Sequence, residues 1–251
     1  MQIANNNIIL TGAASGIGHE LLLALLQFEQ VNILAVDQHT ITEVHPQLIT
    51  LQADLSKQEG INQTFALALQ KWTHIDLFIA NAGYGYCETL GEPNWEKISH
   101  IFSLNVFSPI YALQKMKEQP QHKPFGMVIV SSAMAHLGIP GYALYAATKA
   151  ALDRFEETYH FEKNPGDYIG MVYPVATQTH FFSTINNTAH IPYPIQSPRH
   201  VAQTIIRGIL NNTRHIYPSR LFYVFSLPLR IFHFLASPYQ YYYKRLLGQA
   251  R

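Results

Sequence analysis

Six short apolar runs, at residues 8–11, 31–36, 48–52, 75–80, 127–131 and 168–173, alternate along this chain with stretches of helical periodicity at 16–28, 57–72, 94–117, 143–162 and 198–211. Strands that are apolar throughout and joined through helices pair in parallel and need cover on both faces. A seventh run near 214–217 adds one more strand. The expected fold is α/β: a doubly wound parallel sheet of about seven strands. The 251 residues, 48% of them hydrophobic, suffice for one full core. One domain is therefore expected over residues 1–215, followed by an aromatic-rich C-terminal extension over 216–251. Ligands of such sheets bind beyond the carboxyl ends of the strands. Asn81, Ser132 and Pro174 stand just past three of them.

The first strand runs directly into Gly12-Ala13-Ala14-Ser15-Gly16-Ile17-Gly18 and then an amphipathic helix carrying Leu21, Leu22, Leu25 and Leu26. Gly12 permits a tight turn, Gly16 lets the backbone approach a pyrophosphate, and Gly18 lets helix and strand pack closely. The N–H groups at the helix start then face the phosphates. Asp37 ends the second apolar run, 19 residues after Gly18, where a carboxylate reads ribose hydroxyls. Its alternative role is a turn or helix cap.

A formal charge of +1 and a charged share of 13% leave no basic stripe for a nucleic-acid backbone. The single cysteine, Cys87, rules out an internal disulfide, and the first residues lack the pattern of a signal peptide. A cytoplasmic protein is the expectation. The 13 histidines are scattered without metal-ligand spacing, so no metal is assigned.

Tyr145 and Lys149 are four apart on a helical stretch and so share one face. The pair Tyr111/Lys115 has the same spacing, but no strand end bearing hydroxyls feeds it. Tyr145 has Ser131-Ser132 12 and 13 residues upstream, at the end of the fifth strand.

Through about residue 215 the chain resembles the short-chain dehydrogenase/reductase family. Carrying the resemblance are Thr11-Gly-x-x-x-Gly-Ile-Gly18, Asp54-Leu55, Asn81-Ala82-Gly83, Asn105, Ser132, Tyr145-x-x-x-Lys149 and the run from Pro174 to Thr179. It implies a Rossmann-like subunit with a nicotinamide cofactor and catalysis by Asn105, Ser132, Tyr145 and Lys149. Tyr145 would be the acid/base, its phenol lowered by the Lys149 charge, since an unperturbed phenol near pKa 10 is a poor base at neutral pH. Ser132, with Ser131 as the alternative, would orient the substrate oxygen. Asn105 would hold a water linking Lys149 to solvent; a satisfied core asparagine is the other reading.

The implied cofactor contacts are Gly12, Ser15, Gly16, Ile17, Gly18, Asp37, Asp54, Leu55, Asn81, Ala82, Gly83, Tyr145, Lys149, Pro174 and Thr179. Asp37 would repel a 2′-phosphate, and neither Gln38, His39 nor Ala14-Ser15 offers a fixed cation, so NAD is favoured over NADP. The family writes Pro-Gly where this chain has Pro174-Val175, which can alter the turn beneath the nicotinamide and narrow the pocket.

Tyr86, Met134, His136, Tyr142, Val175 and Phe181 are the expected substrate wall, and residues 176–198 an apolar lid. The expected activity is NAD(H)-dependent interconversion of a secondary alcohol and a ketone on an apolar, lipid- or steroid-like substrate. An NADPH-dependent reductase of lipid carbonyls and a non-catalytic dinucleotide sensor or scaffold are the alternatives. The resemblance also implies a homodimer or homotetramer through the helices at 94–117 and 143–162. The extension mixes tyrosines and phenylalanines with Arg220, Arg230, Lys244 and Arg245, and Pro228 breaks its best apolar run, so a membrane-spanning helix is not expected. Such a mixture suits peripheral membrane contact, closure of the pocket, or an oligomer interface.

Overall fold

The computed structural model describes residues 1–119, 123–179, 193–231 and 237–249. In chain order its elements begin with β1 (Asn7–Thr11), α1 (Gly16–Leu25), β2 (Asn32–Asp37), β3 (Leu48–Gln52), α2 (Gln58–Lys71), β4 (Leu77–Ala80) and α3 (Trp95–Phe102). After a π-helical turn (Ser103–Phe107) follow α4 (Ser108–Lys117), β5 (Gly126–Val130), α5 (Ala143–Tyr159) and β6 (Tyr168–Val172). The described chain continues with β7 (Ala176–Thr177), β8 (Ile195–Gln196), the helix Pro198–Leu210, β9 (His215–Ile216) and two helices, Arg220–Ile231 and Ser237–Gln249.

Seven strands form one parallel sheet in the order β3-β2-β1-β4-β5-β6-β9. The order reverses at β1, whose neighbours are β2 and β4, and a crevice opens there between the strand ends. Alternate residues serve opposite faces, as the pleat requires. Ile8, Leu10, Ile33 and Val128 pack with Leu21, Leu22 and Leu25 of α1 and with Val201 and Ile205. Ile9, Leu34, Phe78 and Met127 pack with Phe65 of α2, Leu113 and Met116 of α4 and Leu152 of α5. The doubly wound single-domain fold is as expected.

Three local outcomes differ from the sequence expectation. The run 94–117 is not one uniform helix. Pro109 has no N–H to give the Asn105 carbonyl four residues back, and its ring crowds that oxygen. The helix widens in response, and the Ser108 N–H reaches the Ser103 carbonyl. Pro228 lies inside the helix Arg220–Ile231 instead of ending it. The carbonyl it cannot bond belongs to Val224, a residue 65% exposed, so the missing bond falls on the solvent side of the helix. Finally, β7 and β8 pair in parallel and bring the two ends of the expected lid together; Phe181 lies outside the described residues.

The site-bearing α5 is tied to the last strand by Glu156, which is 1% exposed. Its carboxylate accepts from Arg214 Nε at 2.9 Å and Nη2 at 3.3 Å and meets His215 Nε2 at 3.3 Å. Burial alone would raise its pKa, but the His215 and Arg214 contacts outweigh burial and hold it below the ordinary glutamate range. A depressed carboxylate stabilises the fold above its unfolded pKa and ceases to as pH falls through the folded value. Glu156→Gln is expected to lower unfolding free energy by about 3 kcal/mol at pH 7. In urea melts that deficit should shrink as the pH falls below the ordinary glutamate range and the native chain loses the same charge; a deficit independent of pH would assign the loss to packing.

Candidate active site

At the crevice the chain forms a cleft of about 640 Å³ that runs from the end of β2 to the start of α5. Its inner end is the glycine turn. Gly12 and Gly16 adopt φ +68° and +57°, the left-handed region. An added Cβ on Gly18 would stand 2.7 Å from the Gly12 carbonyl carbon and 2.6 Å from Asn81 Nδ2, so only glycine lets α1 sit this close. Asn81 holds the turn from below: its Nδ2 donates to the Thr11 and Gly12 carbonyls, both at 3.1 Å. The Thr11 hydroxyl accepts the N–H groups of Asn81 and Ala82 at 3.0 Å. No side chain caps the start of α1, and Ser15, Gly16 and Ile17 line the cleft there. Backbone amides at an uncapped helix start, with no Cβ in the way, fit a pyrophosphate.

Asp37, Asp54 and Leu55 line the next stretch. The Asp37 carboxylate accepts the Ala14 N–H at 3.0 Å and the His39 N–H at 2.9 Å. It faces the cleft and braces two turns at once. Asp54 accepts the Ser56 N–H at 3.0 Å and hydroxyl at 2.6 Å.

The other end brings together the serine, tyrosine and lysine. Ser132 accepts the Met134 N–H at 3.1 Å, and its hydroxyl bonds the Tyr145 phenol. Ser131, one residue earlier and hence turned the other way, points its hydroxyl to the Lys149 carbonyl at 3.4 Å. Lys149 Nζ donates to the Val130 carbonyl at 3.0 Å and lies 5.5 Å from the Tyr145 ring centre. Burial pushes the Tyr145 phenol up to about 12, against the pull of Ser132, and lowers the Lys149 ammonium to about 8. Burial is the leading influence on both groups, so the phenol lies above its ordinary value and not below it as the sequence reading expected.

Asn105 sits in the π-helical turn, 1% exposed. Its Nδ2 donates to the Tyr84 carbonyl at 2.9 Å and Thr148 Oγ1 at 3.0 Å, and its Oδ1 accepts the Tyr84 N–H at 3.1 Å. Gly83 passes beside it: a Cβ there would be 3.1 Å from Asn105 Oδ1 and 3.6 Å from Lys149 Nζ.

Tyr86, Met134 and Val175 line the cleft, as do Pro174 and Thr179. Val175 takes no positive φ, so the turn accepts the branched residue without strain. His136 and Tyr142 lie behind the wall. His136 lies tilted against Tyr173, ring centres 4.6 Å apart, and approaches Asp153, which accepts the Tyr173 hydroxyl at 2.5 Å. Tyr142 is 1% exposed and packs with Cys87 and Tyr243. The comparison pair Tyr111/Lys115 is outside the cleft lining, bonded to Asn62 and Glu118.

Tyr84, His100, Tyr193, Phe222 and Tyr239 also line the cleft; Tyr193 belongs to the expected lid, and Phe222 and Tyr239 to the extension, for which closure of the pocket is one expectation, whereas Tyr84 and His100 were not anticipated. Tyr84 and His100 share a hydrogen bond, and burial raises the Tyr84 phenol. Tyr84 follows Asn81-Ala82-Gly83 directly, a signal sequence reading could have used. Phe222 and Tyr239 come from the extension, which no local pattern places here. Tyr239 donates to the Tyr193 carbonyl at 3.1 Å, and Gln240 to the Gly138 carbonyl at 2.9 Å.

A sheet of this order with a glycine cradle at its reversal defines a Rossmann-type dinucleotide-binding fold. The chain belongs to the short chain dehydrogenase family, whose model matches residues 6–190. An uncharacterised oxidoreductase of Schizosaccharomyces pombe is 26% identical over 192 residues, 73% of this chain and 65% of that protein. Sorbitol-6-phosphate 2-dehydrogenase of Klebsiella pneumoniae is 30% identical over 185 residues, 67% of this chain and 66% of that protein. The matches thus cover less than two thirds of the yeast relative's length. A short chain dehydrogenase from Burkholderia cenocepacia in complex with NADP superposes with a TM-score of 0.81 at 20% identity, covering 96% of this chain and 99% of that one. One from Burkholderia phymatum in complex with NAD gives 0.80 at 16% identity, covering 93% and 94%. At these identities the likeness is one of fold.

Proposed function

We propose that this chain is an NAD(H)-dependent oxidoreductase interconverting a secondary alcohol and a ketone on an apolar, lipid- or steroid-like substrate. The observation that carries the reading is the convergence of Ser132, Tyr145 and Lys149 at one end of a cleft whose other end is a glycine cradle. When bound there, a nicotinamide dinucleotide supplies the acceptor or donor of hydride.

Gly12, Ser15, Gly16, Ile17 and Gly18 would hold its phosphates, and Asp37, Asp54, Leu55 and Asn81 to Gly83 its adenosine end. Pro174, Thr179, Tyr145 and Lys149 would hold the nicotinamide end. Tyr145 takes the alcohol proton in oxidation and returns it in reduction. Ser132 hydrogen-bonds the same oxygen and fixes its distance from the phenol. Lys149 carries charge below about pH 8, steadying the phenolate and bonding ribose hydroxyls. The carbonyl of Asn105 that Pro109 cannot bond is suited to a water leading from Lys149 towards solvent.

Asp37 faces the cleft without an adjacent fixed cation in Gln38 or His39, which favours NAD. The two Burkholderia neighbours, one with NADP and one with NAD, leave both cofactors compatible with the fold. Tyr86, Met134, Val175, Phe222 and Tyr239 give the catalytic end its apolar and aromatic wall. A homodimer or homotetramer would use the helices at 94–117 and 143–162, in the first of which Phe107 stands 59% exposed.

The test is reduction of NAD and NADP in parallel by purified protein with short, long-chain and polycyclic secondary alcohols. Turnover with NAD on the bulky alcohols is the expected result. Carbonyl reduction should fall above about pH 8, as Lys149 loses the charge that steadies the phenolate developing when Tyr145 gives up its proton. Turnover with NADP alone would overturn the Asp37 argument. NADH binding without turnover on any alcohol would favour the dinucleotide sensor.

A further inference from the structure

We propose that the two C-terminal helices dock this protein on an anionic lipid bilayer, so that the cleft between them receives its apolar substrate from the membrane; the substrate part rests on the function proposed above. The first observation is charge. All 16 carboxylates of the chain lie at or before Asp167, with nine of its lysines and arginines. The last 84 residues carry eight Lys/Arg and no acidic side chain. The formal charge is thus −7 up to Asp167 and +8 beyond it, a division that the overall value of +1 conceals. Arg214 is engaged by Glu156; Arg220, Lys244 and Arg245 are exposed.

The second observation is the pattern on each helix. Among the described side chains of Arg220–Ile231, Phe222, which lines the cleft, and buried Ser226 face inward. Leu221, Val224 and Phe225, at i, i+3 and i+4, form an outward stripe in which each side chain is more than half exposed. In Ser237–Gln249 the inward residues are Tyr239, at the cleft, and Tyr243, buried against Tyr142 and Tyr145. Tyr241 and Tyr242 face outward, 68% and 58% exposed, with Lys244 and Arg245 one turn on. Each helix thus has one aromatic face satisfied by the domain and a second, mixed with cations, facing solvent.

Apolar side chains and rings interleaved with cations, with no carboxylate among them, match the headgroup layer of an anionic membrane. A second copy of this chain docked face to face through these helices would meet the same positive charge and be repelled. Among the described residues no helix is long and apolar enough to cross a membrane, so the contact is peripheral. Because Phe222 and Tyr239 line the cleft from the inner sides of these helices, its mouth would open at the bilayer surface.

The experiment is co-sedimentation of the full chain with vesicles of phosphatidylcholine alone and with phosphatidylglycerol added. The bound fraction should be at least about tenfold higher on the anionic vesicles and fall as salt rises. Val224→Ser/Phe225→Ser and Tyr241→Ser/Tyr242→Ser should each weaken it by about tenfold, with turnover of a short, water-soluble alcohol unchanged. Equal binding to both vesicles, or binding indifferent to these substitutions, would overturn the proposal. So would a dimer in gel filtration that the same substitutions dissociate. Vesicle binding without turnover of any alcohol would sink the dehydrogenase reading and leave the docking surface standing.

Discussion

Replacing Tyr145 by phenylalanine is expected to lower kcat/KM about a thousandfold, the loss of one well-placed acid/base. That is roughly 4 kcal/mol of transition-state stabilisation. The substitution removes one oxygen. The ring keeps its place among Ile101, Met134 and Tyr243, and the broken bond to Ser132 costs stability by only about 1 kcal/mol. NADH affinity should change little, because the glycine turn and Asp37 are untouched. Stopped-flow turnover and fluorescence titration of NADH, made on the same preparation, separate the two effects. A variant that retained a tenth of the native rate would show that another group moves the proton, and Tyr84, bonded to His100 in the same cleft, would become the residue to test.

Gly18→Ala should be the most damaging single methyl in the chain. Its Cβ would fall 2.7 Å from the Gly12 carbonyl carbon and 2.6 Å from Asn81 Nδ2, closer than any real Cβ approaches a neighbour. Gly12 cannot yield, because β1 is hydrogen-bonded to β2 and β4 on either side. Helix α1 must move away instead, separating Leu21, Leu22 and Leu25 from the sheet and opening the cradle. A loss above about 3 kcal/mol is expected in urea unfolding, with NADH binding abolished. Gly138 supplies the control: a Cβ there meets nothing within 4 Å, and Gly138→Ala should stay within about 0.5 kcal/mol. If both variants bound NADH as the native chain does, the cradle would not be the cofactor site.

Most of the frame was legible because its determinants are local. Strands apolar on both faces, helices with one apolar stripe and glycines at fixed offsets follow from periods of two and 3.6 and from backbone sterics. Tyr145 and Lys149 share a helix face for the same reason. The break at Asn105 was equally local, since Pro109 four residues on cannot bond its carbonyl, yet apolar periodicity continues through it and hid the change of winding.

The sequence by itself determined the parallel sheet, the glycine cradle after β1 and the spacing that brings a tyrosine and a lysine to one helix face, because each depends on residues within about one or two turns or strand repeats. Only the tertiary structure decided that Ser132 and not Ser131 meets Tyr145, that His136 and Tyr142 stand behind the cleft wall, and that Phe222 and Tyr239 return from the extension to line it. It also decided that Tyr145 and Lys149, buried together, have pKa values displaced to about 12 and about 8. Those outcomes depend on which surfaces, dozens of residues apart in the chain, exclude water from one another, and no local period encodes that.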